Sequence, residues 1–146
     1  MSFPYQLFRG AYYPIIPVTI SGKDKSVNTS AIIDSGASIS IFSASIGRII
    51  GLDIEAGEKR VFQGASAKLA GYIHEVKMII AGKEIMCKAA FSDELSTSFN
   101  LLGRETVFDM SANRKAISEH AQKSSIFDEF IIAFNEKQRE IRIDSI

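Results

Sequence analysis

Hydrophobic positions in the first two thirds of the chain come in short runs, separated by clusters of Gly, Ser, Asp and Lys. That pattern predicts strands joined by turns. Tyr13–Ile20 is rich in Ile, Val and Tyr, and Pro14 and Pro17 assign part of it to a sheet edge. After the turn cluster Ser21–Asp24, a second strand covers Val27–Ile33 and ends in Asp34-Ser35-Gly36, a strong turn signal. Ile39–Phe42 predicts a short strand. Ser43–Ile50 predicts one short helix, with Ser43 as its N-cap and Gly51 as its stop. Lys59–Gly64 and Tyr72–Ile80 predict two strands around a small-residue tip. Ala81-Gly82-Lys83 then turns the chain into a strand over Ile85–Phe91. Ser92–Asn100 reads as a polar loop, Leu101-Leu102-Gly103 as a short apolar run, and Arg104–Met110 as a helix.

The C-terminal part breaks this rhythm. Val107-Phe108-Asp109 and Ile126-Phe127-Asp128 are near copies, and Ser111–Ser125 between them is polar and alanine-containing. A helical insertion over 109–126 is expected, presenting a solvated face rather than a docking surface. Phe130–Phe134 and Glu140–Ile143 then predict a hairpin about the polar turn Asn135–Gln138.

Composition narrows the function classes. The chain has 146 residues, 46% hydrophobic and 23% charged, which fits one globular domain over 1–146. Lys plus Arg number 17 and Asp plus Glu number 17, and no basic run stands out, so no nucleic-acid partner is expected. No apolar stretch approaches the ~18 residues of a membrane helix, so no membrane partner is expected either. Met1–Tyr5 lacks a basic start followed by an apolar run, so no signal peptide is expected. The single cysteine, Cys87, cannot form an internal disulfide, which fits a reducing, cytoplasmic compartment. Cys87, His74 and His120 lie far apart in sequence, so neither a metal nor another cofactor is expected. Gly22-Lys23 precedes Asp24 and Gly82-Lys83 precedes Glu84, so neither is a phosphate loop, and no Gly-x-Ser-x-Gly elbow occurs. His74 reads as a surface or packing residue near the hairpin, His120 as solvated, and Cys87 as a small core residue.

The sharpest feature is Ile32-Ile33-Asp34-Ser35-Gly36-Ala37-Ser38. An apolar strand holds a carboxylate at its end, and Gly36 lets backbone pass close to whatever that carboxylate addresses. Taken alone, Asp-Ser-Gly is also a common hairpin turn. Well downstream, after a strand-rich stretch that includes a hairpin with a small-residue tip, comes Leu101-Leu102-Gly103-Arg104.

This combination resembles the retropepsin-like aspartic proteases, the retroviral proteases and their cellular relatives. Ile32–Ala37 is similar to that family's apolar-apolar-Asp-Thr/Ser-Gly-Ala signature, and Leu101–Arg104 to its second signature. Gly64–Glu75 looks like its flap hairpin. The resemblance spans roughly Tyr12–Met110 and implies a mainly β fold: a closed barrel or sandwich with a flap, a C-terminal helix and the inserted segment. It implies an endopeptidase with Asp34 as catalytic acid, supported by Ser35, Gly36, Ala37 and Gly103, with the flap tip Gly64, Ala65, Ser66 and Ala67 over a peptide or protein substrate. The chemistry needs two carboxylates sharing a proton. Asp53, Asp93, Asp109, Asp128 and Asp144 lack the motif, so a homodimer is expected, with one Asp34 from each chain. In retroviral members an Asp two residues after the motif glycine pairs with the arginine; here that position is Ser38, so Arg104 needs another partner. A catalytically silent dimeric peptide- or protein-binding module of the same fold is the alternative, and a monomeric β-rich domain in which Asp34 merely serves a turn is a third reading.

Overall fold

The computed structural model describes residues 1–63, 68–95, 99–104 and 125–146. The predicted helix beyond Arg104, the insertion up to residue 124, His120 and the flap-tip residues Gly64, Ala65, Ser66 and Ala67 lie outside the described residues.

Three short strands open the chain: β1 (Ser2–Pro4), β2 (Gln6–Phe8) and β3 (Ala11–Tyr13). They were not expected from the sequence, because three residues are too few to display a period. β1 forms only by pairing with the far end of the chain. β2 and β3 close on each other through Arg9 and Gly10, both with positive φ, as a two-residue primed turn requires.

Then come β4 (Ile15–Ser21), β5 (Ser26–Ile33), β6 (Ser40–Ser43), helix α1 (Ala44–Ile49), a single 3-10 turn over Ile54–Ala56, and β7 (Glu58–Gln63). β8 (Lys68–Ile80), β9 (Lys83–Ser92), β10 (Asn100–Leu102), helix α2 (Ile126–Glu129), β11 (Phe130–Asn135) and β12 (Glu140–Ser145) complete the described chain. The described fold is mainly β, as the sequence pattern requires.

The central sheet closes on itself. Its order β4-β5-β10-β6-β9-β8 returns from β8 to β4 through Thr19↔Ile79, Ile20↔Met78 and Ser21↔Lys77. The result is a six-stranded barrel with β7 hung from the first half of β8 as a hairpin arm. Closure removes the exposed edges that an open sheet would present. β8 covers only Thr19–Ser21 of β4, so Pro17 sits on a stretch that lacks a second neighbour; a residue without an N–H fits there.

Alternation along the strands builds the core. Ile16, Val18 and Ile20 of β4, Val76, Met78 and Ile80 of β8, and Cys87, Ala89 and Phe91 of β9 meet inside the barrel. Each large aliphatic side chain buried there contributes about 1.5–3 kcal/mol. Ile73 points the other way and joins a second cluster with Ile39, Ile41 and Ala90, against which Phe62, Leu69 and Leu95 pack. Ser43 caps α1 by accepting from the Ser45 amide, and Gly51 follows with φ +90°, as expected from sequence. His74 is a packing residue: its Nε2 lies 2.8 Å from the Ile54 carbonyl oxygen and its ring stands edge-on to Phe91.

A separate three-stranded sheet, β1-β12-β11, ties the two ends of the chain together. Tyr5 is buried beside it. Its hydroxyl donates to Glu136 Oε1 at 2.6 Å, and its amide donates to the Arg139 carbonyl. Burial first, and the Glu136 carboxylate second, push the Tyr5 phenol up to about 12. No described helix is long and apolar enough to cross a membrane.

Candidate active site

β5 and β10 run parallel, with Leu101 opposite Ile32 and Leu102 opposite Ile33. The two sequence motifs are therefore neighbouring strands. Their ends emerge together, and Asp34 stands where β5 leaves the barrel.

Backbone bonds from residues 102–104 frame the turn that follows. The Asp34 amide donates to the Leu102 carbonyl at 2.9 Å, and the Arg104 amide donates to the Ala37 carbonyl at 2.9 Å. Within the turn, the Ala37 amide donates to the Asp34 carbonyl at 3.2 Å. The Gly36 amide donates to Asp34 Oδ1 at 2.9 Å. One carboxylate oxygen is thus aimed by the turn itself. Asp34 is half-buried, Ala37 likewise, while Ser35 and Gly36 face solvent.

Gly103 is required by contact rather than by conformation. A Cβ on it would stand 2.5 Å from the Ile39 carbonyl oxygen and 2.8 Å from that of Ala37. Its amide donates to the buried Ser40 hydroxyl at 3.1 Å. Strand β10 can therefore approach the turn only with a bare α-carbon.

Two contributors escaped the sequence reading. Asn100, expected in a loop, begins β10 and is buried. Its Oδ1 accepts from the Ser43 amide at 3.0 Å, and its Nδ2 donates to the Ser30 carbonyl at 3.0 Å and to the Thr29 hydroxyl at 3.3 Å. It locks β10 between β5 and β6 below the turn. Ser40 is the other, fully buried at the start of β6. Each is a single polar residue between apolar neighbours, Phe99/Leu101 and Ile39/Ile41, and that isolation was the available signal.

Arg104 finds its partners here. Its Nε donates to the Ser35 carbonyl at 2.6 Å, and its guanidinium carbon lies 5.4 Å from the centre of the Phe127 ring. The apolar cluster of Ile39, Ile41, Ile73 and Ala90 joins the strand leaving the turn to the β7–β8 hairpin arm, and its packed neighbours Phe62 and Leu69 lie on that arm. Among the described residues, no group of three or more His, Cys, Asp or Glu could hold a metal ion. The arrangement presents a carboxylate on a turn braced by backbone bonds and by Arg104.

The family model described as aspartyl protease matches residues 16–106, a span that includes both motifs. No curated protein matches the chain. Among solved structures, the chain is similar to the EIAV protease complexed with the inhibitor HBY-793. The identity is 18%, the TM-score 0.48, and the match covers 67% of this chain and 88% of that one.

Proposed function

The chain belongs to the aspartyl protease family, and from that premise we propose that it is an aspartic endopeptidase working as a homodimer, with the Asp34 of each subunit meeting across a two-fold axis. The observation that carries the reading is the Asp34 carboxylate itself. It is half-buried at the end of a barrel strand, with Oδ1 held by the Gly36 amide on a turn framed by residues 102–104.

Two carboxyl groups about 3 Å apart cannot both ionise, so the pair holds one proton between them. The ionised member takes a proton from a water positioned between them, and the water oxygen attacks the scissile carbonyl carbon. The protonated member donates to the carbonyl oxygen as that oxygen gains charge. Collapse of the tetrahedral intermediate breaks the C–N bond, the departing nitrogen takes up a proton, and the pair again holds one. Titration belongs to the pair as a unit.

The substrate in this reading is an extended peptide, bound by strand-like hydrogen bonds between the turn and the flap, with Gly64, Ala65, Ser66 and Ala67 closing over it. Phe62 and Leu69, partly buried on the hairpin arm, favour apolar side chains next to the cleaved bond. Ser35 supplies a hydroxyl that reaches the partner's backbone, and Gly36 and Ala37 keep the turn narrow. A cytoplasmic location belongs to the same proposal, supported by the sequence holding one cysteine, Cys87, which cannot form an internal disulfide.

Cleavage of a broad peptide library by the full chain and by Asp34→Asn, between about pH 4 and 7, tests it beside a mass measurement of the assembly. The wild type cleaves with a bell-shaped pH profile, runs as a dimer, and loses cleavage in Asp34→Asn. A variant as active as the wild type, or a stable monomer that cleaves, overturns the proposal.

A further inference from the structure

The turn carrying Asp34 is exposed at Ser35, Gly36 and Ser38. An exposed turn needs an external hold if its carboxylate is to keep one aim. The Ser35 carbonyl and the Gly36 amide belong to one planar peptide unit, so fixing one end fixes the other. At one end Arg104 Nε donates to the Ser35 oxygen at 2.6 Å; at the other the Gly36 N–H donates to Asp34 Oδ1 at 2.9 Å.

Arg104 is itself exposed, and a long side chain left in water samples many rotamers. The Phe127 ring, 5.4 Å from the guanidinium carbon, offers a flat surface that limits this freedom. Phe127 is in turn anchored. It packs partly buried against the main core, in helix α2, whose start is closed by reciprocal bonds between Ser125 and Asp128. Its amide also donates to the Ser125 hydroxyl at 3.1 Å.

We propose that Arg104 and Phe127 form a positioning pair: the ring restrains the guanidinium, the guanidinium pins the Ser35–Gly36 peptide, and that peptide aims the Asp34 carboxylate. The activity part of the inference rests on the endopeptidase reading; the mechanical part does not.

The test compares Arg104→Lys, Phe127→Leu and Phe127→Tyr in the full chain. Lysine keeps the charge without the planar fork, leucine keeps apolar bulk without the ring, and tyrosine keeps the ring. Backbone 15N relaxation reads the turn directly. The Gly36 order parameter, about 0.85 for a rigid backbone, falls below about 0.6 in Arg104→Lys. It falls part of the way in Phe127→Leu and stays at the wild-type value in Phe127→Tyr. Val76 and Met78 in the barrel keep wild-type values and report an intact fold. On a cleaved peptide, kcat drops about tenfold in Arg104→Lys, with KM within about twofold. The drop is about threefold in Phe127→Leu and absent in Phe127→Tyr. The Arg104→Lys/Phe127→Leu double variant is no slower than Arg104→Lys alone, because both changes break one brace. An unchanged Gly36 order parameter in Arg104→Lys, or a tyrosine variant that behaves like leucine, overturns the pair. Should Arg104→Lys fail to fold, the leucine–tyrosine contrast decides. If the wild type cleaves no peptide, the endopeptidase reading falls and the relaxation measurement alone decides the brace.

Discussion

Replacing Gly103 by alanine adds one methyl group at the point where β10 meets the Asp34 turn. The backbone at 103 is outside the left-handed region that favours glycine. Free of contacts, such a change would stabilise the fold by about 0.4–1 kcal/mol by restricting the unfolded chain. Here the new Cβ would lie 2.5 Å from the Ile39 carbonyl oxygen, 2.6 Å from its carbon and 2.8 Å from the Ala37 carbonyl oxygen. All three are backbone atoms, which cannot rotate aside. Relief requires β10 to move outward, which weakens the Gly103 amide bond to Ser40 and the Arg104 amide bond to Ala37. Overpacking of about 1–3 kcal/mol and two strained bonds of about 0.5–1.5 kcal/mol each outweigh the entropic gain, leaving a net loss of about 1–6 kcal/mol, centred at about 3 kcal/mol. In a chain of this size that lowers Tm by roughly 5–15 °C. The assay is urea unfolding at fixed protein concentration, beside Gly51→Ala as control. Gly51 has φ +90° but no atom within 4 Å of its ideal Cβ, so its alanine variant loses only about 1–2 kcal/mol of backbone preference. A Gly103→Ala protein that unfolds at or above the wild-type midpoint would refute the steric argument.

Two further outcomes are expected. Asn100→Ala leaves the Ser43 amide and the Ser30 carbonyl without this partner and costs about 2–3 kcal/mol, measured by urea unfolding; Asn100→Asp, which sets a carboxylate oxygen against the Ser30 carbonyl in a buried site, costs at least as much at neutral pH. Tyr5→Phe changes the alkaline limb of stability. The folded phenol titrates near 12, above the ordinary value of about 10, so the stability it contributes is complete below pH 10 and is lost as pH rises towards 12. Thermal unfolding across that range shows a falling Tm in the wild type and a shallower fall in the phenylalanine variant; parallel curves would count against the burial argument.

Much of the barrel was legible along the chain because each strand announces itself locally. Alternating aliphatic residues from Tyr13 to Ile33, the Ser43 cap, the Gly51 stop and the Ala81-Gly82 turn are short-range signals, and the structure places elements there. The closing hairpin, β11 and β12, was legible for the same reason. β1 was not: Ser2–Pro4 is a strand because Arg142, Ile141 and Glu140 lie opposite it, and a partner at the other end of the chain leaves no local mark.

By itself the sequence determined the residue types for the chemistry: one aspartate at the end of an apolar strand, and a glycine-arginine pair far downstream. Tertiary structure alone decided their relation. It set β10 parallel to β5 so that the two motifs end side by side, chose Asn100 and Ser40 as the polar ties beneath them, and gave Arg104 the Ser35 carbonyl and the Phe127 ring. The physical reason is range. Propensity and periodicity act over a few neighbouring residues, whereas hydrogen bonds and van der Waals contacts are satisfied by whatever the closed barrel brings within about 3–4 Å.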